Sequence, residues 1–453
     1  MQITIVGAGK AGFAVASQLT REGHEISMIE KNEAVLNEVL AALDISGVAG
    51  NGISRELLEE AKAGEAELFI ALTGNDEQNL LSCLMARKLG AQNTIARVCG
   101  PEYTSMLPLI ADDLGLSMVV NPEKEAAMEI VRLLEMPSAK KIETFVQGKV
   151  EMIDYDVTAD SPMCGKQVKD AFANMRTGLV AAVERDGKVF IPLGGFRFKE
   201  GDVMTVVAPA GKMYTFFQEA GVPQKVIKRV IISGGGRTSY YLAQQLLKQH
   251  IRVTVIEQNE AKAIALAEKL PQADIIVADG TSHSVLDEQG VDEADAFCCL
   301  TGIDEENILT SLYAKHIRRT IKTVTKINRV ELTPIVRPLG LGSVVSPKLI
   351  TADQVVSYVR AKQNGVGSGV LTLYHILEDK AEAIEFEVSE RSKLVNVLIK
   401  DLKLKKDVIL ACINRKGQIL SPRGNDALQP GDTVIIVTTQ TGFDVLDDIL
   451  RDE

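Results

Sequence analysis

A chain of 453 residues is long for one hydrophobic core and points to several domains, and a hydrophobic share of 46% is ample to bury them. A formal net charge of −11 argues against nucleic acid as the main partner, because binding phosphate backbones needs basic surface. Six scattered cysteines without a C-x-x-C pair suit a reduced cytosolic compartment, no run approaches the ~18–20 apolar residues of a membrane span, and the chain opens as a strand rather than a leader.

Residues 3–6 read as a buried strand, after which Gly7, Gly9 and Gly12 open a helix. This is G-x-G-x-x-G in the strand-then-helix context that a dinucleotide fingerprint requires. Gly7 allows a tight turn, Gly9 lets the backbone approach a pyrophosphate, and Gly12 lets helix and strand pack closely. The helix N-terminus offers free N–H groups and a positive dipole end to phosphate. A second strand, 25–30, ends in Glu30, 18 residues past Gly12 and near the ~20 expected of the acid that bonds a ribose. A carboxylate there accepts from the 2′- and 3′-hydroxyls and repels a 2′-phosphate, which favours NAD or adenosine nucleotides over NADP. A solvated charge at a strand end would leave the same residue.

Strands at 45–50, 66–72, 93–98 and 116–120 then alternate with helices at 32–43, 53–63 and from Asp76, placed to cap it, to about 89. Dense apolar strands alternating with helices predict a doubly wound parallel sheet. After Asn121-Pro122 an amphipathic helix runs to Leu134 and stops at Pro137; its apolar face suits packing on its own domain or an oligomer contact equally. From Lys140 the texture changes to short strands with glycine turns, at 145–155, 179–184, 188–191 and 202–208. They predict a small β-rich domain ending near Ala220, with Gly221-Val222-Pro223-Gln224 as a hinge.

The chain then begins again. Gly234, Gly236 and Ser239 follow a strand as Gly7, Gly9 and Gly12 do, at an offset of 227, and Glu257 repeats Glu30 at the same offset. Asp279-Gly280 matches Asn51-Gly52, Thr301-Gly302 matches Thr73-Gly74 and Asn307 matches Asn79, all at 228. Ser346-Pro347 matches Asn121-Pro122, and Gly431-Asp432 matches Gly201-Asp202 at 230. Near-constant offsets over the whole unit mean a tandem duplication. The predicted divisions are 1–137, 138–222, 223–362 and 363–453.

Chemistry-bearing patterns are absent by comparison. His24, His250, His283, His316 and His375 form no H-E-x-x-H and no zinc spacing with cysteine. Cys298-Cys299 sits in a strand-like run with its side chains on opposite faces, poor for a disulfide or a chelate. Ser105 and the other serines lack a nucleophile elbow. A site that binds without reacting is a sensor or an anchor, and sensing requires unequal binding to two conformations.

The opening V-G-A-G-K-A-G, the Gly50-Asn51-Gly52 and Ala278-Asp279-Gly280 turns, Leu-Thr-Gly in both halves, and the Asn-Pro and Ser-Pro leads into crossover helices together resemble the RCK (regulator of potassium conductance) family in its tandem, Trk-system form. The resemblance covers essentially the whole chain. It implies two tandem Rossmann-like domains, each followed by a small α+β, β-rich C-terminal RCK subdomain. It implies a non-enzymatic regulatory subunit that binds NAD/NADH, ATP or ADP. That subunit would gate a membrane-embedded potassium channel subunit of the TrkH or TrkG kind, as a homotetrameric ring on the inner face of the membrane. The implied first site comprises Gly7, Gly9, Lys10, Ala11, Gly12, Glu30, Asn51, Gly52, Thr73, Gly74 and Arg97. The implied second comprises Gly234, Gly236, Arg237, Glu257, Asp279, Gly280 and Thr301. Lys10 and Arg237 hold the in-loop basic position that meets a terminal phosphate in the family, and each is also compatible with a solvated charge. Ser239 in place of the third glycine tightens the second site, and Asp279 against Asn51 adds negative charge there. Two other readings remain at this stage: a soluble NAD-dependent oxidoreductase with duplicated cofactor domains, and a scaffold with vestigial loops.

Overall fold

The computed structural model describes residues 1–451 apart from 146, 147, 173, 174, 176, 223, 224, 330, 331, 337, 338, 364–369, 378 and 379. Pro223 and Gln224 of the expected hinge therefore lie outside the described residues.

In β1 (Gln2–Val6) every residue after Gln2 is buried, as a parallel strand covered by helices on both faces requires. There follow α1 (Lys10–Arg21), β2 (Glu25–Glu30), α2 (Glu33–Ala42), β3 (Ser46–Ala49), α3 (Arg55–Glu60), β4 (Leu68–Ala71), α4 (Asp76–Leu89), β5 (Thr94–Arg97), α5 (Pro101–Ile110), β6 (Met118–Val120) and α6 (Pro122–Glu135). The strands are parallel in the order 3-2-1-4-5-6. The order reverses between β1 and β4, which opens a crevice at their carboxyl ends.

Asp76 does not cap α4. Asn75 does, accepting from the Gln78 N–H at 2.6 Å, while Asp76 is buried and accepts from the N–H groups of Cys99 (3.0 Å) and Gly100 (2.7 Å). The carboxylate thus ties α4 to the turn after β5. The helix α5 has no counterpart in the sequence expectation, although Pro101 at its first position after Gly100 is a start signal. The apolar side of α6 is covered within the chain: Ala126, Ala127, Ile130 and Val131 are buried.

The next segment holds β7 (Ala139–Phe145), β8 (Val150–Asp156), α7 (Val168–Ala171), β9 (Leu179–Arg185), β10 (Lys188–Phe190), β11 (Val203–Pro209) and α8 (Met213–Glu219). Its antiparallel sheet runs 10-9-11-8-7. Residues 145–155, expected as one strand, belong to two. Gly148, at φ +82°, stands between β7 and β8 in a backbone conformation that a side chain disfavours.

The repeat follows with β12 (Arg229–Ser233), α9 (Arg237–Lys248), β13 (Arg252–Glu257), α10 (Glu260–Lys269), β14 (Asp274–Val277), α11 (His283–Glu288), β15 (Ala296–Cys299), α12 (Asp304–Ile317), β16 (Lys322–Lys326), α13 (Thr333–Val336), β17 (Ser343–Val345) and α14 (Pro347–Gln363). Its parallel order, 14-13-12-15-16-17, copies the first sheet. A second antiparallel sheet comprises β18 (Val370–Ile376), β19 (Ala381–Glu387), β20 (Val408–Arg415), β21 (Gln418–Leu420) and β22 (Thr433–Thr438), in the order 18-19-22-20-21.

Like parts group with like. One compact unit comprises residues 1–131 and 228–356, the two parallel-sheet domains; the other comprises 132–227 and 357–453, the two β-rich parts. In the β-rich unit both sheets share one core. Phe145, Met152, Ala182 and Val207 from one sheet pack with Ala383, Ala411, Ile435 and Val437 from the other. The repeated Gly-Asp pair has a structural role here. Asp202 is fully buried and receives the Arg185 fork at 2.6 and 2.7 Å, and Asp432 receives Arg415 at 2.9 and 2.7 Å. Gly201 and Gly431 precede these acids at φ +86° and +79°.

In the parallel-sheet unit, Tyr241 of α9 joins the repeats. Its hydroxyl donates to the Cys99 carbonyl at 2.9 Å and accepts from the Asn121 amide at 3.2 Å. Tyr241→Phe is expected to lower the unfolding free energy by about 1–2 kcal/mol by leaving those buried groups short of a partner. Urea unfolding of the full chain checks this, and an unchanged midpoint and slope would count against it.

Candidate nucleotide-binding site

Gly7 turns the chain out of β1 at φ +102°, against the Leu72–Thr73 backbone after β4. A Cβ on Gly12 would stand 1.9 Å from the Gly7 carbonyl oxygen, so α1 lies directly on the loop that precedes it. Gly9 precedes α1 with open space where a side chain would stand, no side chain caps the helix, and its first turn carries no acid. The N–H groups of the first turn therefore face an anion without a competitor. The second loop repeats this arrangement: Gly234 lies at φ +97°, Gly236 has open space, and α9 is uncapped and acid-free in its first turn. Ser239 fits because its hydroxyl donates to the Gly234 carbonyl, the counterpart of the oxygen that crowds Gly12.

Glu30 stands at the end of β2 with both oxygens engaged, accepting from the N–H of Ala8 at 2.7 Å and of Asn32 at 2.9 Å. Glu257 repeats this with Gly235 and Asn259, each at 2.8 Å. Each carboxylate oxygen keeps a further lone pair, so the acid can brace its glycine loop and still meet a hydroxyl.

The turns after β3 and β14 lie against the ends of β1 and β12. A Cβ at Gly52 would come within 2.2 Å of Val6, and one at Gly280 within 2.4 Å of Ser233. Asn51 accepts from Gln78 at 3.0 Å. Asp279 accepts from the Thr281 hydroxyl at 2.7 Å and N–H at 2.9 Å, which hold its carboxyl below the usual range. The Gly74 Cα faces open space beside the loop.

Thr73 and Thr301 are held by Asn79 and Asn307, whose role the sequence left unstated. The Asn79 carbonyl accepts from the Thr73 N–H (2.9 Å) and hydroxyl (2.7 Å), and its amide donates to the Thr73 and Arg97 carbonyls. Asn307 does the same for Thr301 and Lys326. One buried amide thus joins the carboxyl ends of two neighbouring strands in each repeat. The shared offset of 228 was the available signal.

Gly9, Lys10, Ala11, Gly74 and Arg97 line one cavity of about 250 Å³, joined by residues of the second repeat. Gly7, Gly12, Glu30, Asn51, Gly52 and Thr73 lie outside that lining, as do Gly234, Gly236, Arg237, Glu257, Asp279, Gly280 and Thr301 of the second repeat. Arg97 is not free for a ligand in this state: it pairs with Glu123 at 2.8 Å and donates to the Thr73 carbonyl at 3.1 Å. All six cysteines are free thiols, and burial pushes those of Cys83, Cys99 and Cys298 well above their ordinary value. Among the described residues no cluster of three or more His, Cys, Asp or Glu could hold a metal, and no helix is long and apolar enough to cross a membrane.

The TrkA-N domain model matches residues 3–122 and 230–347, and the TrkA-C domain model matches 152–221 and 383–451. The chain belongs to the TrkA family. A Trk system potassium uptake protein TrkA homolog from Archaeoglobus fulgidus is 30% identical over 451 residues, covering 100% of both chains. A TrkA from Azorhizobium caulinodans is 29% identical over 469 residues, covering 100% of this chain and 98% of its own. The fold is also that of the GsuK RCK domain, with a TM-score of 0.65 at 18% identity over 96% of this chain and 92% of that one. A GsuK channel bound to NAD gives 0.64 at 18% identity over 96% and 76%. The two Rossmann-like TrkA-N domains and the β-rich part after each are the architecture expected from the sequence.

Proposed function

We propose that this TrkA-family chain is a nucleotide-sensing regulatory subunit of a Trk-type potassium uptake system rather than an enzyme. It takes NAD(H), ATP or ADP on its glycine loops. It acts on a membrane-embedded channel subunit of the TrkH or TrkG kind, from the cytoplasmic face, as a homotetramer. The observation that carries this reading is the pair of uncapped, acid-free helix starts, each beside a glycine loop and a strand-end glutamate. The relatives' names supply the potassium-uptake context, and the GsuK channel bound to NAD supplies a precedent for the ligand on the same fold. In this reading Glu30 and Glu257 hold the riboses, the helix starts hold the phosphates, and Lys10 and Arg237 meet a terminal phosphate.

Calorimetric titration of NAD, NADH, ATP and ADP tests the reading. At least one nucleotide should bind at a stoichiometry of one or two per chain. Glu30→Gln should weaken NAD at the first loop about tenfold, roughly 1.4 kcal/mol, while the second loop keeps its affinity. Unchanged NAD affinity at both loops would refute the ribose role, and no binding of any nucleotide would refute the sensor.

A further inference from the structure

Because the two halves of the parallel-sheet unit are copies, the places where they meet come in matching pairs, and one such pair is held unequally. In one seam Tyr241 of α9 reaches from the second repeat into the first. Its buried hydroxyl donates to the Cys99 carbonyl at 2.9 Å, accepts from the Asn121 amide at 3.2 Å and lies 3.4 Å from the Thr104 hydroxyl. Asn121 is braced in turn. Its amide also donates to the Thr104 hydroxyl at 3.2 Å, and its carbonyl caps α6 through the Lys124 N–H at 2.9 Å. A polar cluster shielded from water therefore spans both repeats and closes this seam.

In the other seam the same places are filled differently. Ala14 of α1 stands where Tyr241 does, at the offset of 227, and its side chain brings no polar group. Ser346 stands where Asn121 does, just before α14, and its hydroxyl is buried without a hydrogen-bond partner. Asn328 stands where Cys99 does, and its carbonyl accepts from Lys348 of its own repeat at 3.0 Å. The start of α1 faces this part of the second repeat, since Ala11 shares a cavity with Asn328, Pro347 and Thr351. The energetic contrast follows. Opening the Tyr241 seam breaks hydrogen bonds that were made in a dry place, whereas opening the Ala14 seam gives the Ser346 hydroxyl its first partner, water.

We propose that the two parallel-sheet repeats are pinned at Tyr241 and part at the Ala14–Ser346 seam, so that the duplicated unit moves about one fixed point instead of opening evenly on both sides. The device belongs to the protein alone and needs no ligand. Its consequence for the loops is positional. The helix α1 begins at the first glycine loop and α9 at the second, so the first loop stands on the yielding seam and the second on the pinned one. A symmetric pair of repeats would have no such preference, and the exchange of tyrosine for alanine at one matched position creates it.

Thiol accessibility in the full, ligand-free chain tests this. Cys99 is a native reporter of the pinned seam, fully buried with its carbonyl bonded to Tyr241. Ser346→Cys places a thiol of nearly the same size in the other seam, and no hydrogen bond is lost because the Ser346 hydroxyl makes none. Alkylation by N-ethylmaleimide is followed peptide by peptide in the mass spectrometer. Each rate is divided by that of the same thiol in the urea-unfolded chain, and buried Cys83 reports global unfolding. The thiol at position 346 should react at least fivefold faster than Cys99, and a smaller ratio overturns the proposal. Tyr241→Phe should raise the Cys99 rate at least fivefold while Cys83 and the thiol at 346 stay within about twofold. A Cys99 rate that does not rise removes the pin, and Cys99 and Cys83 rising together shows general loosening; either result overturns the proposal. The comparison of Cys99 with Cys83 needs no substitution at 346, so it stands even if that variant folds poorly.

Discussion

Gly12→Ala is expected to abolish nucleotide binding at the first loop and to lower stability by about 1–3 kcal/mol, the usual range for overpacking. The new Cβ would lie 1.9 Å from the Gly7 carbonyl oxygen and 3.0 Å from its carbon. Both are backbone atoms of the turn, so no side-chain rotation can relieve the contact. Helix and loop must separate, and the first-turn N–H groups move with the helix away from the phosphate position. The second repeat shows how a side chain can be admitted: Ser239 donates its hydroxyl to the Gly234 carbonyl. Gly12→Ser is therefore expected to be milder in stability than Gly12→Ala, because its hydroxyl turns the crowded oxygen into an acceptor. Thermal unfolding and NAD titration of the two variants decide the matter. Wild-type affinity and midpoint in Gly12→Ala would contradict the close packing.

Asp304→Ala is expected to cost about 2–4 kcal/mol at neutral pH, because it strips the acceptor from several donors at once. The carboxylate is buried and accepts from the N–H of Asn328 and of Arg329, each at 2.8 Å, and from the Asn328 amide at 2.9 Å. Burial pushes its pKa up, but these bonds and the Arg329 guanidinium outweigh burial and leave it below the ordinary 3.8. The sign of the pH dependence follows. A group whose folded pKa is depressed adds stability that is complete above its unfolded value and is lost as pH falls through the folded one. The gap between wild type and Asp304→Ala should hold steady from about pH 8 to 5 and narrow below about pH 4. Urea titrations at three pH values measure it. A gap as wide at pH 3 as at pH 7 would contradict the ionised, hydrogen-bonded state.

Much of the fold was readable because its determinants are local. Apolar runs, glycine spacing and strand-end acids are short patterns, and their repetition at offsets of 225 to 230 marked the two halves. The errors share a cause. Residues 145–155 look like one strand because alternation continues across Gly148, where the backbone turns. Asp76 looks like a cap because caps are local, yet its partners are Cys99 and Gly100, more than 20 residues away. The glycine loops and Glu30 and Glu257 were legible as site candidates. The work of Asn79 and Asn307 was not, since each joins two strands that only the sheet brings together. Lys326 and Lys348 of the cavity lining were invisible for the same reason: nothing in their neighbourhoods along the chain points to Gly9 and Lys10.

Housing both parallel-sheet domains in one unit on one chain has a genetic consequence. When identical subunits pair about a two-fold axis, every substitution appears on both sides. An acid exchanged for a lysine at the axis would then be exchanged twice. Covalent fusion releases that constraint, and the partner positions here have drifted apart: Gly12 and Ser239, Ala14 and Tyr241, Asn51 and Asp279, Glu123 and Lys348. Each pair is a place where one repeat can be tuned without altering its twin, so a single polypeptide can carry two inequivalent halves where a symmetric dimer would be bound to carry two copies of one.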